Sequence, residues 1–196
     1  MTTPRTLTAQ DALALHATYA PDAEQLERVG THCRIVARMA LDLARRHPAA
    51  VDSELVEVGA LLHDIGVYQV GTGPYIRHGI LGHALLEREG LPQPLLRFAS
   101  CHTGVGISRQ DVRDQRLPIP EADYLPETVE ERLVAYADKF HSKGRQSTFL
   151  SADTYRRELA ARFGTAKAEV FDTLVEEFGL PDIDALAAEY GQSVRR

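Results

Sequence analysis

The residues of this chain best suited to chemistry are histidines and aspartates. His63 and Asp64 stand side by side where the apolar run Gly59-Ala-Leu-Leu-His63-Asp64-Ile65-Gly66 ends, His32 lies upstream, and His78, His102 and Asp138 follow. Neutral imidazole and carboxylate are the usual ligands of zinc, iron and manganese. Taken singly, each residue has a plainer explanation. A histidine beside an apolar stripe is commonly a hydrogen-bonded structural residue, and an aspartate on a helix is commonly a solvated charge. An aspartate flanked by Ala135, Tyr136 and Ala137, however, is partly buried and needs a partner. Together the six make a shell for two divalent transition-metal ions. Iron or manganese suits the set best, and zinc, cobalt or nickel also tolerates nitrogen and oxygen donors. Neighbours on a helix differ by ~100°, yet in a last turn His63 and Asp64 can both reach an adjacent pair of ions, with Asp64 as the bridge.

Other residues are sorted by the same geometry. His78 shares a helix face with Gly82, which leaves room for close approach; His83 points ~140° away and is structural or exposed. His16 and His47 fall outside the pattern, and His141 is expected at the surface or behind the ligands. Cys33 and Cys101 form no CxxC pair and read as core packing. No GxSxG or Cys-His arrangement supplies a protein nucleophile.

The elements that must position these residues are helices. Periodicity predicts them over 8–19, 22–47, 53–65, 75–89, 92–102, 127–141, 152–163, 166–178 and 183–190. In the second, Leu26, Val29, Cys33, Val36, Ala40 and Leu43 form an inner stripe, and His32 borders it. Gly66 is expected to stop the third helix just after His63 and Asp64. Residues 67–74 read as a loop, 142–151 as polar and flexible, and 104–126 as a long irregular segment of the kind that forms lids. No strand-period segment and no internal repeat is evident, so the fold class is all-α. The chain is expected to form a single domain over 1–196, with a core over about 22–145 and accessory C-terminal helices over about 150–196.

The bulk numbers agree. The chain has 196 residues, 44% hydrophobic and 26% charged, with net charge −6. That balance gives no overall basic field to draw nucleic acid or an anionic membrane. No apolar run approaches the ~18 residues a membrane span needs, and the first residues lack a signal pattern. A cytoplasmic protein, with no nucleic-acid or membrane partner, is the expectation.

The order His32, His63-Asp64, Asp138 on a helical bundle resembles the signature of HD-domain metal-dependent phosphohydrolases. Leu61-Leu62-His63-Asp64-Ile65-Gly66 resembles its HDIG form. The blocks Ile76-Arg77-His78-Gly79-Ile80-Leu81-Gly82 and Cys101-His102-Thr103-Gly104-Val105-Gly106-Ile107 are similar to an uncharacterised HDIG family. Tyr124-Leu-Pro-Glu-Thr128 and Val134-Ala-Tyr-Ala-Asp138-Lys139 are similar to that family too. A more distant likeness is to HD hydrolases that split dinucleoside tetraphosphates. The likeness covers roughly residues 25–145. It implies one ion held by His32, His63, Asp64 and Asp138, and a second held by Asp64, His78 and His102. Many relatives carry Lys or Arg just after the motif, where this chain has Val67. Phosphate contact is then expected from Arg77 and Lys139, with Lys143 and Arg145 as further candidates.

The function this resemblance implies is hydrolysis of a phosphoester or phosphoanhydride in a nucleotide or other small phosphorylated metabolite. Two ions would activate a bridging water, with Asp64 and Arg77 as the catalytic residues and segment 104–126 covering the substrate. Two alternatives use the same residues. One is an HD-type dinuclear-iron oxygenase, which the absence of a cation at Val67 favours. The other is a non-catalytic ligand-binding HD module, against which the complete ligand set argues.

Overall fold

The computed structural model describes residues 7–47, 51–144 and 146–196. Helix α1 (Ala9–Tyr19) starts at a capping box between Thr8 and Asp11, and α2 (Ala23–Ala44) starts at the Asp22 cap. On α2, Val29, Cys33, Val36, Ala40 and Leu43 are fully buried, and so is His32 beside them. This is the expected stripe, although the helix ends three residues before the predicted limit at His47.

Helix α3 (Ser53–Leu62) is capped by Asp52. From Val56 to Leu62 only Glu57 is less than buried, so α3 is the central rod rather than a one-faced surface helix. It carries His63 and Asp64 on its C-terminal end. His16 on α1 ties down the preceding turn: its Nε2–H donates to the Leu61 carbonyl at 2.6 Å, and its Nδ1 accepts from the Tyr68 hydroxyl at 2.8 Å.

The expected glycine stop is not what Gly66 provides. His63 keeps right-handed helical angles, and the chain runs on as a 3-10 turn over Ile65–Gln69. Gly66 has no side chain because α4 (His78–Arg88) lies against it: a Cβ there would sit 2.0 Å from the His78 carbonyl oxygen and 2.2 Å from the Gly82 nitrogen. Gly82 reciprocates on the α4 side, as its spacing from His78 implied.

A short 3-10 turn, Tyr75–Arg77, leads into α4, and α5 (Gln93–Cys101) packs back on it. The segment expected to be irregular contains α6 (Arg109–Asp114), capped by Ser108, and a two-residue bridge joins Ile107 to Tyr124. Helix α7 (Val129–Ala137) passes into the 3-10 turn Asp138–Phe140.

The largest departure from expectation is a small sheet. Three short strands form a sheet in the order β1 (His141–Ser142), β2 (Thr148–Leu150), β3 (Ser193–Arg195), β1–β2 antiparallel and β2–β3 parallel. Thr148–Leu150 is buried, not a flexible loop. Strands of two or three residues are too short to show an alternation in sequence, and the all-α class stands. Between β2 and β3 run α8 (Ala152–Phe163), α9 (Thr165–Phe178) and α10 (Ile183–Tyr190). Phe171 and Phe178 of α9 pack on Tyr136 at centroid distances of 5.7 Å. The Tyr136 hydroxyl donates to Gly179, and Arg132 pairs with Glu177 at 2.7 Å. No helix among the described residues is long and apolar enough to cross a membrane.

Candidate metal centre

The structure brings all six predicted residues to one place. His32 comes from mid-α2, His63 and Asp64 from the end of α3, and His78 from the start of α4. His102 follows α5, and Asp138 follows α7. His32, His63 and Asp64 are fully buried, and the Asp138 side chain is 14% exposed.

Two clusters share Asp64. On the Oδ2 side, His32 Nε2 lies at 3.1 Å and His63 Nε2 at 3.3 Å, and Asp138 Oδ1 is 3.0 Å from His32 Nε2. On the Oδ1 side, His78 Nε2 lies at 3.6 Å and His102 Nε2 at 3.5 Å. Within each cluster the imidazoles face one another through Nε2, at 3.2 Å for His32 and His63 and 3.0 Å for His78 and His102.

The tautomers explain why this arrangement calls for cations. His63 Nδ1–H donates to the Ala60 carbonyl, His78 Nδ1–H to Tyr75 and His102 Nδ1–H to Phe98, at 2.6, 2.7 and 3.0 Å. A neutral ring so held has a bare lone pair on Nε2, the form His63 takes once it gives up the proton that Asp64 favours. Those lone pairs point at each other and at the two buried Asp64 oxygens, of which Oδ2 meets the Lys143 ammonium and Oδ1 meets no donor. Lone pair facing lone pair in a buried site is repulsive unless a positive charge lies between. Donor atoms ~2.1 Å from a shared ion fall ~3.0–3.4 Å apart at right or tetrahedral angles. The His32–Asp64, His63–Asp64, His32–Asp138 and imidazole–imidazole separations fall in that range, and those from Asp64 to His78 and His102 lie just beyond it at 3.6 and 3.5 Å, so the residues present fit two divalent ions, with Asp64 able to bridge them.

Ionisation supports the same use. Burial pushes His102 down to about 4 and lowers His78, so both are neutral ligands at pH 7. Burial also disfavours charge on Asp64, but Lys143 and His63 outweigh it and hold the carboxyl well below its ordinary range. Asp138 is held low in the same way, chiefly by Lys139. Burial opposes a charge on His63 as well, but Asp64 raises it well above 6.5, so an ion binding there displaces a proton.

Beside the clusters opens a cleft of about 670 Å³, lined by Arg28, Lys139, Lys143 and Arg162 as its cations, with Val67, Tyr75 and Asp138. The candidate phosphate contacts divide accordingly. Lys143 lies against Asp64 Oδ2 and under the Tyr75 ring. Lys139 is buried and engaged, donating to the His102 carbonyl at 2.9 Å and to Asp138 Oδ2 at 2.6 Å. Arg77 is exposed and not among the residues that line the cleft, and Arg145 lies outside the described residues.

Sequence reasoning did not single out Arg28 or Arg162. Arg28 precedes His32 by one helical turn, a spacing that puts it on the same face; Arg162 has no comparable signal. Residues of 104–126 line not this cleft but a smaller cavity of about 290 Å³ next to it, with Arg162 common to both. His141 is buried behind His32, not at the surface.

A family profile described as HD domain matches residues 29–143. The chain belongs to the HD-domain family. A tRNA (cytidine(56)-2'-O)-methyltransferase of Picrophilus torridus is 38% identical over 114 residues, 58% of this chain and 31% of that protein. An uncharacterized protein of Methanocaldococcus jannaschii is 39% identical over 115 residues, 57% of this chain and 65% of that protein. The match thus spans about a third of the one relative and under two thirds of the other. Among solved structures, the HD domain of the L. monocytogenes phosphodiesterase PgpH is similar at TM-score 0.51 and 22% identity, covering 91% of this chain and 98% of that one. The same domain in complex with cyclic-di-AMP is similar at TM-score 0.51 and 21% identity. At such identities the likeness is one of fold.

Proposed function

We propose that this HD domain is a metal-dependent phosphohydrolase. Its substrate would be a phosphoester or phosphoanhydride of a small phosphorylated metabolite, a nucleotide among the candidates. The observation that carries this is Asp64, whose two buried oxygens each face a separate pair of imidazole nitrogens. When bound, two adjacent ions would supply an acidified water and charge neutralisation for a phosphoryl group. The chain's own residues do the rest. His32, His63, Asp64 and Asp138 would hold one ion, and Asp64, His78 and His102 the other. Lys143, Arg28 and Arg162 present fixed positive charge along the cleft and would orient the phosphate. Lys139, already donating to Asp138 and the His102 carbonyl, fixes two ligands rather than contacting substrate. Arg77, outside the cleft lining, has no support for the catalytic role expected of it.

The cleft's cations bear on the oxygenase alternative, which gained weight from the missing cation at Val67. Lys143 stands in the same cleft as Val67, so the positive charge is present from another segment. The test is metal analysis of the protein as purified, then a screen of phosphorylated metabolites with Mn2+ and Fe2+ in the absence of oxygen. Two ions per chain and anaerobic release of phosphate or a phosphomonoester are expected. Asp64→Asn is expected to abolish turnover and lower metal content. Strictly oxygen-dependent turnover, or full activity in Asp64→Asn, would overturn the proposal.

A further inference from the structure

Gln192, between α10 and β3, reaches the back of the candidate metal centre. Helix α10 ends at Gly191, left-handed at φ 62°, with the Gln192 N–H bonded to the Ala187 carbonyl at 2.9 Å. This closing turn aims Gln192 back at β1 just before β3 pairs with β2. Gln192 Oε1 then lies 2.8 Å from His141 Nε2. An amide oxygen only accepts, so His141 carries its hydrogen on Nε2 and accepts through Nδ1. The group opposite is His32 Nδ1, at 2.8 Å, which therefore donates. His32 Nε2 is left with its lone pair aimed at the cluster formed with Asp64 and Asp138. The two rings stack at a centroid distance of 5.1 Å, and Phe149 of β2 meets His141 edge-on at 4.9 Å.

His32 differs in this from the other three histidines. His63, His78 and His102 lie at helix ends or turns and orient themselves on nearby backbone carbonyls. His32 sits in the middle of α2, where carbonyls are occupied by the helix's own hydrogen bonds. It needs a side-chain acceptor, and that acceptor is itself oriented from the other end of the molecule.

We infer that His141 and Gln192 are positioning residues for the ion held by His32, His63, Asp64 and Asp138. Residues 146–196, beyond the stretch that the family profile matches, are on this account part of the metal centre: loading of that ion depends on the C-terminal strand being docked. The inference rests on the metal reading above, and the experiment separates the two.

Mn2+ binding to the full chain is measured by equilibrium titration, with paramagnetic resonance counting free and bound ion. Gln192→Leu, which keeps volume and removes the acceptor, should weaken one of the two binding steps about 10- to 100-fold and leave the other within about twofold. Gln192→Glu, which still accepts, should retain both steps. His141→Leu should reproduce the loss, and the double variant should add little to it, because the two act through one chain of hydrogen bonds. A merely structural role for Gln192 would lower the melting temperature of the metal-free protein and weaken both steps together, which would overturn the inference. So would wild-type binding at both steps in Gln192→Leu. A wild-type chain that takes up no Mn2+ would overturn the metal reading and this inference with it.

Discussion

Gly66→Ala isolates how closely the fold is built around the residues proposed to hold the second ion. The added methyl would lie 2.0 Å from the His78 carbonyl oxygen and 2.2 Å from the Gly82 nitrogen, whereas ordinary Cβ contact begins near 3.4 Å. The start of α4 must therefore retreat by about 1.4 Å. Both obstacles are backbone, so no side-chain rotation relieves the clash. Overpacking in a core typically costs ~1–3 kcal/mol, and a backbone obstacle puts this case at the upper end, about 3 kcal/mol. The retreat carries His78 with it, while His32, His63 and Asp138 stand on other elements. Denaturant unfolding of the metal-free variant should show the lost stability, and metal titration should show one ion retained and one weakened by at least tenfold. Gly90→Ala is the control: it has φ +74 with no atom within 4 Å of the added Cβ. It should cost only the ~1–2 kcal/mol of a left-handed non-glycine residue and leave metal binding alone. An unchanged unfolding midpoint with two ions bound in Gly66→Ala would refute the steric argument.

Two further outcomes follow from the charges around the cluster. Lys143→Met removes one cation that both competes for Asp64 Oδ2 and faces the cleft; metal binding should tighten while KM for a phosphorylated substrate rises by about tenfold, and a lower metal affinity would count against the competition. In chelator-treated protein, burial holds His102 and His141 at about 4, below their unfolded 6.5. Their contribution is complete above pH 6.5 and is lost as pH falls towards 4, at up to about 3 kcal/mol each. Raised His63 has the opposite sign, and its contribution is already complete below pH 6.5. A urea midpoint that stays flat from pH 6.5 to 4 would refute this balance.

The metal-ligand candidates were legible because each is a histidine or aspartate at a helix end or on a stripe border. His32 borders the Val29–Cys33–Val36 stripe, and His63 and Asp64 terminate an apolar run. The helices were legible for the same reason, with caps at Asp22 and Asp52 where short polar residues precede apolar periodicity. What stayed hidden was long-range. Gly66 in sequence is a helix stop, and only the packed structure shows it as the seat of α4. Thr148–Leu150 is too short to read as a strand, and Gln192 has no local feature that ties it to His32 across 160 positions of chain.

The cation expected after the His-Asp motif is the clearest case of a local rule with a non-local answer. The resemblance looks for Lys or Arg at 67, finds Val67, and so weakens the case for phosphate chemistry. What the chemistry requires is a positive charge near the shared carboxylate, not a particular place in the chain. Lys143 meets that requirement from the turn after β1. Its ammonium is held in the charged form by Asp64 against the cost of burial. Arg28 and Arg162 add charge from α2 and α8. Val67 and Lys143 thus share one cleft, with the positive charge carried by Lys143. Restoring the family residue alone, as Val67→Lys, should set two ammonium groups against each other in that cleft and weaken metal binding rather than improve turnover. An increase in turnover with metal affinity intact would show that the two positions act independently.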